Sequence, residues 1–276
     1  MKLIRAVSCW GNQASPVEAL GLACEWGFEA VEGPAEVIRE IAGEGMELIA
    51  EIVTGCDSGS YVPGLKVTPD EHLEDFRRKL DLALDAEPLR ITTMAGSDFW
   101  DFPTACRFFE DLLGIAEQRG AKVCIETHRA RPTFHLARTR RFLEELPNMK
   151  LTLDVSHWCV VCERLMPGEV EWMESIQAKV GHLHTRVGYD QGPQVPDPRV
   201  ERYGAELAAH LECWKRIAER HQDKGAEFFT VTPEFGPDGY LQSEPSSGRP
   251  AADLREINRW IGGRVAQLLE ESGMKK

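Results

Sequence analysis

Strand-like and helix-like segments alternate along this chain eight times, and that alternation is the tightest limit on what it can fold into. Short apolar runs fall at 3–10, 29–33, 47–55, 89–96, 122–127, 150–155, 181–187 and 227–235. Each precedes a stretch with helical spacing, at 15–27, 35–45, 68–86, 104–120, 134–146, 167–179, 199–221 and 250–272. Parallel strands need crossover connections, which a strand–helix repeat supplies. Eight such repeats predict a sheet closed on itself: an α/β fold, a single-domain (β/α)8 TIM barrel over residues 1–276. No composition shift or flexible linker marks a second domain.

Strand parity adds a second constraint. In KLTLDV, Leu151 and Leu153 share one face while Thr152 and Asp154 share the other. In FFTVTPE, Phe229 and Val231 oppose Thr230, Thr232 and Glu234. In KVCIETH, Val123 and Ile125 oppose Cys124, Glu126 and His128. Side chains alternate with period two, so the apolar set packs outward on the helices and the other set points into the barrel. Four inward residues then sit at successive strand ends: Glu126, Asp154, His184 and Glu234. Their separations of 28, 30 and 50 residues match one βα unit of about thirty residues, a second, and a third lengthened by a long loop and helix. Adjacent strands lie about 5 Å apart, so three carboxylates and one imidazole converge as ligands for a divalent metal. An oxygen-rich set with one nitrogen favours Mn²⁺, and also suits Mg²⁺ or Co²⁺ and tolerates Zn²⁺. Such an ion stabilises a cis-enediolate, with Glu126 and Glu234 flanking the substrate carbon as an acid/base pair.

The motifs IETH, DVSH, HLH and PEFG together resemble the sugar isomerase/epimerase branch of the xylose isomerase-like barrels. That branch includes tagatose-type ketose 3-epimerases and hydroxypyruvate isomerases. The resemblance implies that Glu126, Asp154, His184 and Glu234 bind the metal, that the two glutamates move the proton, and that His157 contacts substrate. It also implies an Arg several residues beyond HxH. Here Arg186 follows at once and Arg199 much later, and 187–199 departs from the epimerase loop.

Other residues near these strand ends admit two roles. His128 is a rim contact or supports a ligand. Arg186, inward by parity, neutralises the carboxylates or binds an anionic substrate group. Trp10, Trp100 and Trp158 follow strands and can wall a sugar pocket or pack in the core. His182 reads as a barrel-interior histidine, and Gln194 and Arg199 fall on a lid. Three connections, 54–67, 187–199 and 236–250, are long and follow strands, placing them over the same rim.

Composition narrows the function classes. The net charge of −13 opposes non-specific binding to nucleic acid or to an anionic membrane. No apolar stretch reaches membrane-spanning length, and no signal peptide is evident, so a cytoplasmic enzyme is expected. A small carbohydrate is the expected partner, and a homo-oligomer is compatible with the sequence. The eight cysteines are scattered, and Cys159 and Cys162 form a lone CxxC that reads as packing. The leading expectation is a metal-dependent isomerase or epimerase of a sugar or related hydroxy-carbonyl compound. A lyase or dehydratase acting on a keto-sugar uses the same enediolate. An endonuclease IV-like phosphodiesterase needs further His and Asp ligands, and few of the eight histidines fall at strand ends, which places that reading behind the others.

Overall fold

The structure, a computed structural model, describes residues 1–56, 60–166, 170–237, 239–271 and 273, without the side chains of 170–172. Eight parallel strands close into a barrel in chain order. They are β1 (Lys2–Ser8), β2 (Ala30–Pro34), β3 (Glu47–Val53), β4 (Arg90–Met94), β5 (Val123–Glu126), β6 (Leu151–Leu153), β7 (Val180–His184) and β8 (Phe228–Thr232). β8 pairs with β1, with Leu3 opposite Phe229, which closes the ring. The flanking helices are α1 (Pro16–Trp26), α2 (Pro69–Leu84), α3 (Phe102–Gln118), α4 (Leu136–Glu145), α5 (Val155–Val161), α6 (Val170–Gln177), α7 (Gly204–Asp223) and α8 (Leu254–Glu271).

Local chemistry sets the helix starts. Ser15 and Thr68 each form a capping box, with Glu18 and Glu71 respectively, and each is followed by Pro at the first helical position. Asp101 caps α3 by accepting from the Thr104 N–H. These contacts satisfy N–H groups that a helix cannot pair internally.

Two segments differ from the sequence expectation. The stretch 35–45 forms only a 3-10 turn, Ile38–Ile41. Gly43 and Gly45 adopt φ of 85° and 78°, a left-handed conformation that stops a helix. After β6 the chain turns at once into α5, with Asp154 as its N-cap. Of the helix expected at 167–179, residues 167–169 lie outside the described residues, and the remainder contains α6. Residues 57–59 and 238, within two of the three expected long connections, and 272, in the last expected helix, also lie outside the described residues. Strands end sooner than expected. β8 stops at Thr232 because Pro233 has no N–H to continue the ladder.

The parity prediction holds in the packing. Leu151, Leu153, Phe229 and Val231 join the main core between barrel and helices. A separate small cluster of Ile4, Ala6, Ala30 and Ile49 fills part of the barrel interior. Polar residues occupy the rest of the lumen: the Thr92 and Thr152 hydroxyls meet at 3.1 Å, and Thr92 donates to Glu32. A polar lumen of this kind must be internally paired, which makes it a rigid platform for the groups at its rim. Among the described residues no helix is long and apolar enough to cross a membrane.

Candidate metal centre

Glu126 is the last residue of β5, Asp154 follows β6, His184 ends β7, and Glu234 lies two residues beyond β8. One donor atom from each lies within 4.8 Å of the others. All four are buried. Carboxylates this close repel by roughly 3–4 kcal/mol per pair at an effective dielectric constant near 20, so the cluster requires positive charge.

Arg186 supplies part of it. Its Nη2 donates to Asp154 Oδ2 and lies 3.7 Å from Glu234 Oε2. Its Nε donates to Ser156 Oγ, and Nη1 to the Glu234 carbonyl. The guanidinium packs over the Tyr240 ring at 4.5 Å. Its donors are thus committed within the protein, which makes Arg186 a neutralising group rather than a free receptor for an anion.

Positive charge is still short. His184 Nδ1 lies 3.0 Å from Glu234 Oε2 and 3.7 Å from Glu126 Oε1, yet has no aligned hydrogen-bond partner. Glu126 Oε2 is also buried and unpartnered. Burial opposes charge on His184, but Glu234 and Glu32 outweigh it and hold the imidazole well above its usual range. Burial, opposed by His184 and reinforced by Glu234 and Asp154, pushes Glu126 up to about 7. Orphaned donors on an oxygen-rich, nitrogen-containing cluster fit a divalent cation: Glu126, Asp154, His184 and Glu234 would hold it.

Glu32, on β2, was not singled out from the sequence. Its Oε1 accepts from His184 Nε2 at 3.2 Å and its Oε2 from His182 Nε2 at 3.2 Å. This pairing puts a proton on His184 Nε2 and turns Nδ1 toward the carboxylates, the orientation a metal-ligating imidazole needs. Burial opposes its charge, but the two imidazoles hold the Glu32 carboxyl well below the usual range. His182 is a fully buried lumen residue, its Nδ1 meeting Thr230 Oγ1 at 2.8 Å.

Over the cluster lies a cavity of about 230 Å³. Trp10, Tyr61 and Tyr240 form aromatic walls, with Glu51, Glu126, His128, Arg186 and Glu234 among its polar groups. Tyr61 and Tyr240 come from two of the long connections, which therefore do cover this rim. Trp10 packs edge-on to Tyr240 at 5.3 Å. The Trp10 ring lies so close to Gly236 that a Cβ there would sit 2.0 Å from it. His157 does not line this cavity. It is fully buried and its Nε2 accepts from Arg186 Nη2 at 2.9 Å. Trp158 is fully buried, donating to the Thr133 carbonyl, and Trp100 packs on His72 and Phe108, so neither walls the cavity. Gln194 bonds both backbone groups of Gly236, and Arg199 pairs with Asp197 and Glu256 at the surface. Cys159 is a buried free thiol pushed up to about 12 by burial, consistent with packing. A larger groove of about 730 Å³ includes Arg90, Lys122 and Lys150 at the starts of β4, β5 and β6, but no histidine lines it.

A model of the xylose isomerase-like TIM barrel family matches residues 20–192, more than half of the chain. The chain belongs to that family. The match includes Glu126, Asp154 and His184 and stops short of Glu234, which the barrel geometry adds. The sequence matches none of the curated proteins compared with it. Among solved structures the chain resembles the zinc-bound IOLI protein, at 13% identity and a TM-score of 0.63, covering 97% of this chain and 98% of that one. It also resembles a D-psicose 3-epimerase studied with D-fructose (15%, TM-score 0.62, 98% and 99% covered). A third is the probable 3-DHS dehydratase AsbF of Bacillus anthracis (17%, TM-score 0.60, 96% and 99%). At these identities the likeness is one of fold.

Proposed function

We propose that this family member is a divalent-metal-dependent isomerase or epimerase of a sugar or related hydroxy-carbonyl compound. The observation that carries the reading is the placement of Glu126 and Glu234. They belong to one four-residue ligand cluster and line one small cavity, yet come from the two outer strands of the β5–β8 arc. A divalent ion bound there supplies a Lewis acid that polarises a substrate carbonyl and offsets developing negative charge. The protein's own groups do the proton work. One of the two glutamates takes the proton from the carbon next to the carbonyl, and the other returns a proton. Return to the same carbon from the opposite face is epimerisation; delivery to the neighbouring carbon is aldose–ketose isomerisation.

The cavity volume of 230 Å³ fits a compact small molecule, falling below the roughly 300–1,000 Å³ of drug-sized pockets. Trp10, Tyr61 and Tyr240 offer flat faces to the C–H side of such a ligand, with His128 at the rim. Arg186 holds Asp154 in place, and His157 supports Arg186 from behind. Chelator-treated protein should lose activity and regain it with Mn²⁺ or Co²⁺. In D₂O, with D-fructose, D-psicose and D-tagatose as probes, deuterium should enter the α-carbon in the wild type and not in Glu234→Gln. Undiminished exchange in that variant would sink the acid/base assignment, and a product lighter by one water would move the chemistry to a lyase.

A further inference from the structure

The cavity contains a carboxyl that neither the ligand cluster nor the proton transfer uses. Glu51 lies on β3, two residues before its end, on the inward parity of Ile49 and Val53. Its side chain lines the cavity together with Glu126 and Glu234, and the residue is only 9% exposed. Its backbone carbonyl accepts from the Ala35 N–H, but among the described residues no donor reaches its carboxyl. The neighbours cannot provide one. Pro34, opposite it on β2, has no N–H, and Thr92, opposite it on β4, is committed to Glu32 and Thr152. Val53 and Met94 complete an apolar surround.

Buried polar groups in folded proteins almost always have partners. An unpartnered, nine-tenths buried carboxyl facing a cavity is therefore a site that a ligand completes. We propose that Glu51 is a substrate-binding residue whose carboxyl hydrogen-bonds a hydroxyl of the substrate against the wall formed by Pro34, Val53 and Met94. This assignment rests on the metal-dependent sugar reading above and deepens it: the substrate is a polyhydroxy compound with an uncharged end at β3. A phosphate or carboxylate at that end would face Glu51, and the lining cation Arg186 is already engaged by Asp154, Ser156 and Glu234. Burial, with Glu32 and Glu234 nearby, also pushes Glu51 well above the usual carboxylate range.

The test is sugar binding to the Mn²⁺-loaded protein by calorimetry, for wild type, Glu51→Leu and Glu51→Gln. D-fructose, D-psicose and D-tagatose serve as probes, and the tightest is carried through. Loss of one buried hydrogen bond predicts binding weaker by about tenfold in Glu51→Leu, whereas Glu51→Gln, which can still donate and accept, stays within about threefold. Mn²⁺ affinity should stay within about twofold in all three proteins, showing that the barrel and ligand cluster are intact. Loss in both variants would keep the contact and assign it to an ionised carboxylate. Glu51→Leu binding the sugar as tightly as wild type overturns the proposal. Wild type binding none of the three sugars would instead overturn the sugar reading, independently of Glu51.

Discussion

Replacing Glu32 by Gln isolates the group that aims His184. In the native barrel the Glu32 carboxylate receives N–H donors from His182 and His184 and a hydroxyl from Thr92. A glutamine has one acceptor oxygen and one NH₂. Its oxygen can still accept from His184 Nε2, while its NH₂ would face His182 Nε2. His182 can adapt by moving its proton to Nδ1, where the Thr230 carbonyl lies 3.1 Å away. The fold should therefore survive, with a stability change of about 1 kcal/mol. What is lost is the negative charge behind His184. A hydrogen bond to a charged group contributes about 1.5–3 kcal/mol and a neutral one about 0.5–1.5, so the His184 imidazole loses on the order of 1.4 kcal/mol of support. That corresponds to a roughly tenfold weaker metal, the lower end of the 10–100-fold seen when such supporting groups are removed. Mn²⁺ titration calorimetry measures it directly, with a urea melt as the control for folding. Glu32→Leu, which leaves the buried His184 Nε2–H without its acceptor, should cost about 1–3 kcal/mol of stability as well. Equal Mn²⁺ affinity for wild type and Glu32→Gln would refute the reasoning, because the His184 orientation would then not depend on Glu32.

Four further outcomes follow from the same geometry. The His184 imidazole is held well above its usual range and Glu126 is pushed up to about 7, so metal binding should release about one proton or more at pH 7 and tighten as pH rises; calorimetry in buffers of different ionisation enthalpy counts it, and zero release contradicts the site. His210 accepts from the Gly188 N–H and is lowered to about 4 by burial; its protonation favours the unfolded chain, so stability should fall as pH drops from about 6.5 toward 4, by up to about 3 kcal/mol, and urea melts of His210→Gln should show a shallower fall. Gly236→Ala places a methyl against the Trp10 ring and should cost about 1–3 kcal/mol while changing tryptophan emission; unchanged emission would show that Trp10 is not seated there. Arg131 donates to the carbonyls of Thr54, Tyr61 and Gly96 and to Cys56 Sγ, so Arg131→Met should destabilise by about 3 kcal/mol or more, read by urea midpoint; a loss below about 1 kcal/mol would mean the loops it joins are held otherwise.

Why the ligand cluster is legible in the sequence while its supports are not comes down to what a strand fixes. Period-two alternation decides which side chains enter the lumen, and the βα repeat decides which strands are neighbours. Those two rules suffice for Glu126, Asp154, His184 and Glu234, which sit at or just past strand ends. They also apply to Glu32 and Glu51, each a buried acid inside a largely apolar strand, AVEGP and ELIAEIV. That anomaly is the signal that could have exposed them. Their roles, however, depend on contacts across the lumen: Glu32 meets His184 across 152 residues, a pairing set by barrel tilt and shear rather than by order along the chain. Loops carry no such periodicity. Tyr61 and Tyr240 lie in long connections, and their rings meet at 6.2 Å only because the barrel has closed beneath them. The same limit separates the two sequence-marked arginines. Arg186 continues the inward parity of β7 and reaches the carboxylates, whereas Arg199, one loop later, pairs with Asp197 and Glu256 outside the site. The four-residue cluster is therefore legible from the strands, whereas the aromatic walls of the cavity sit in connections that strand register alone does not place.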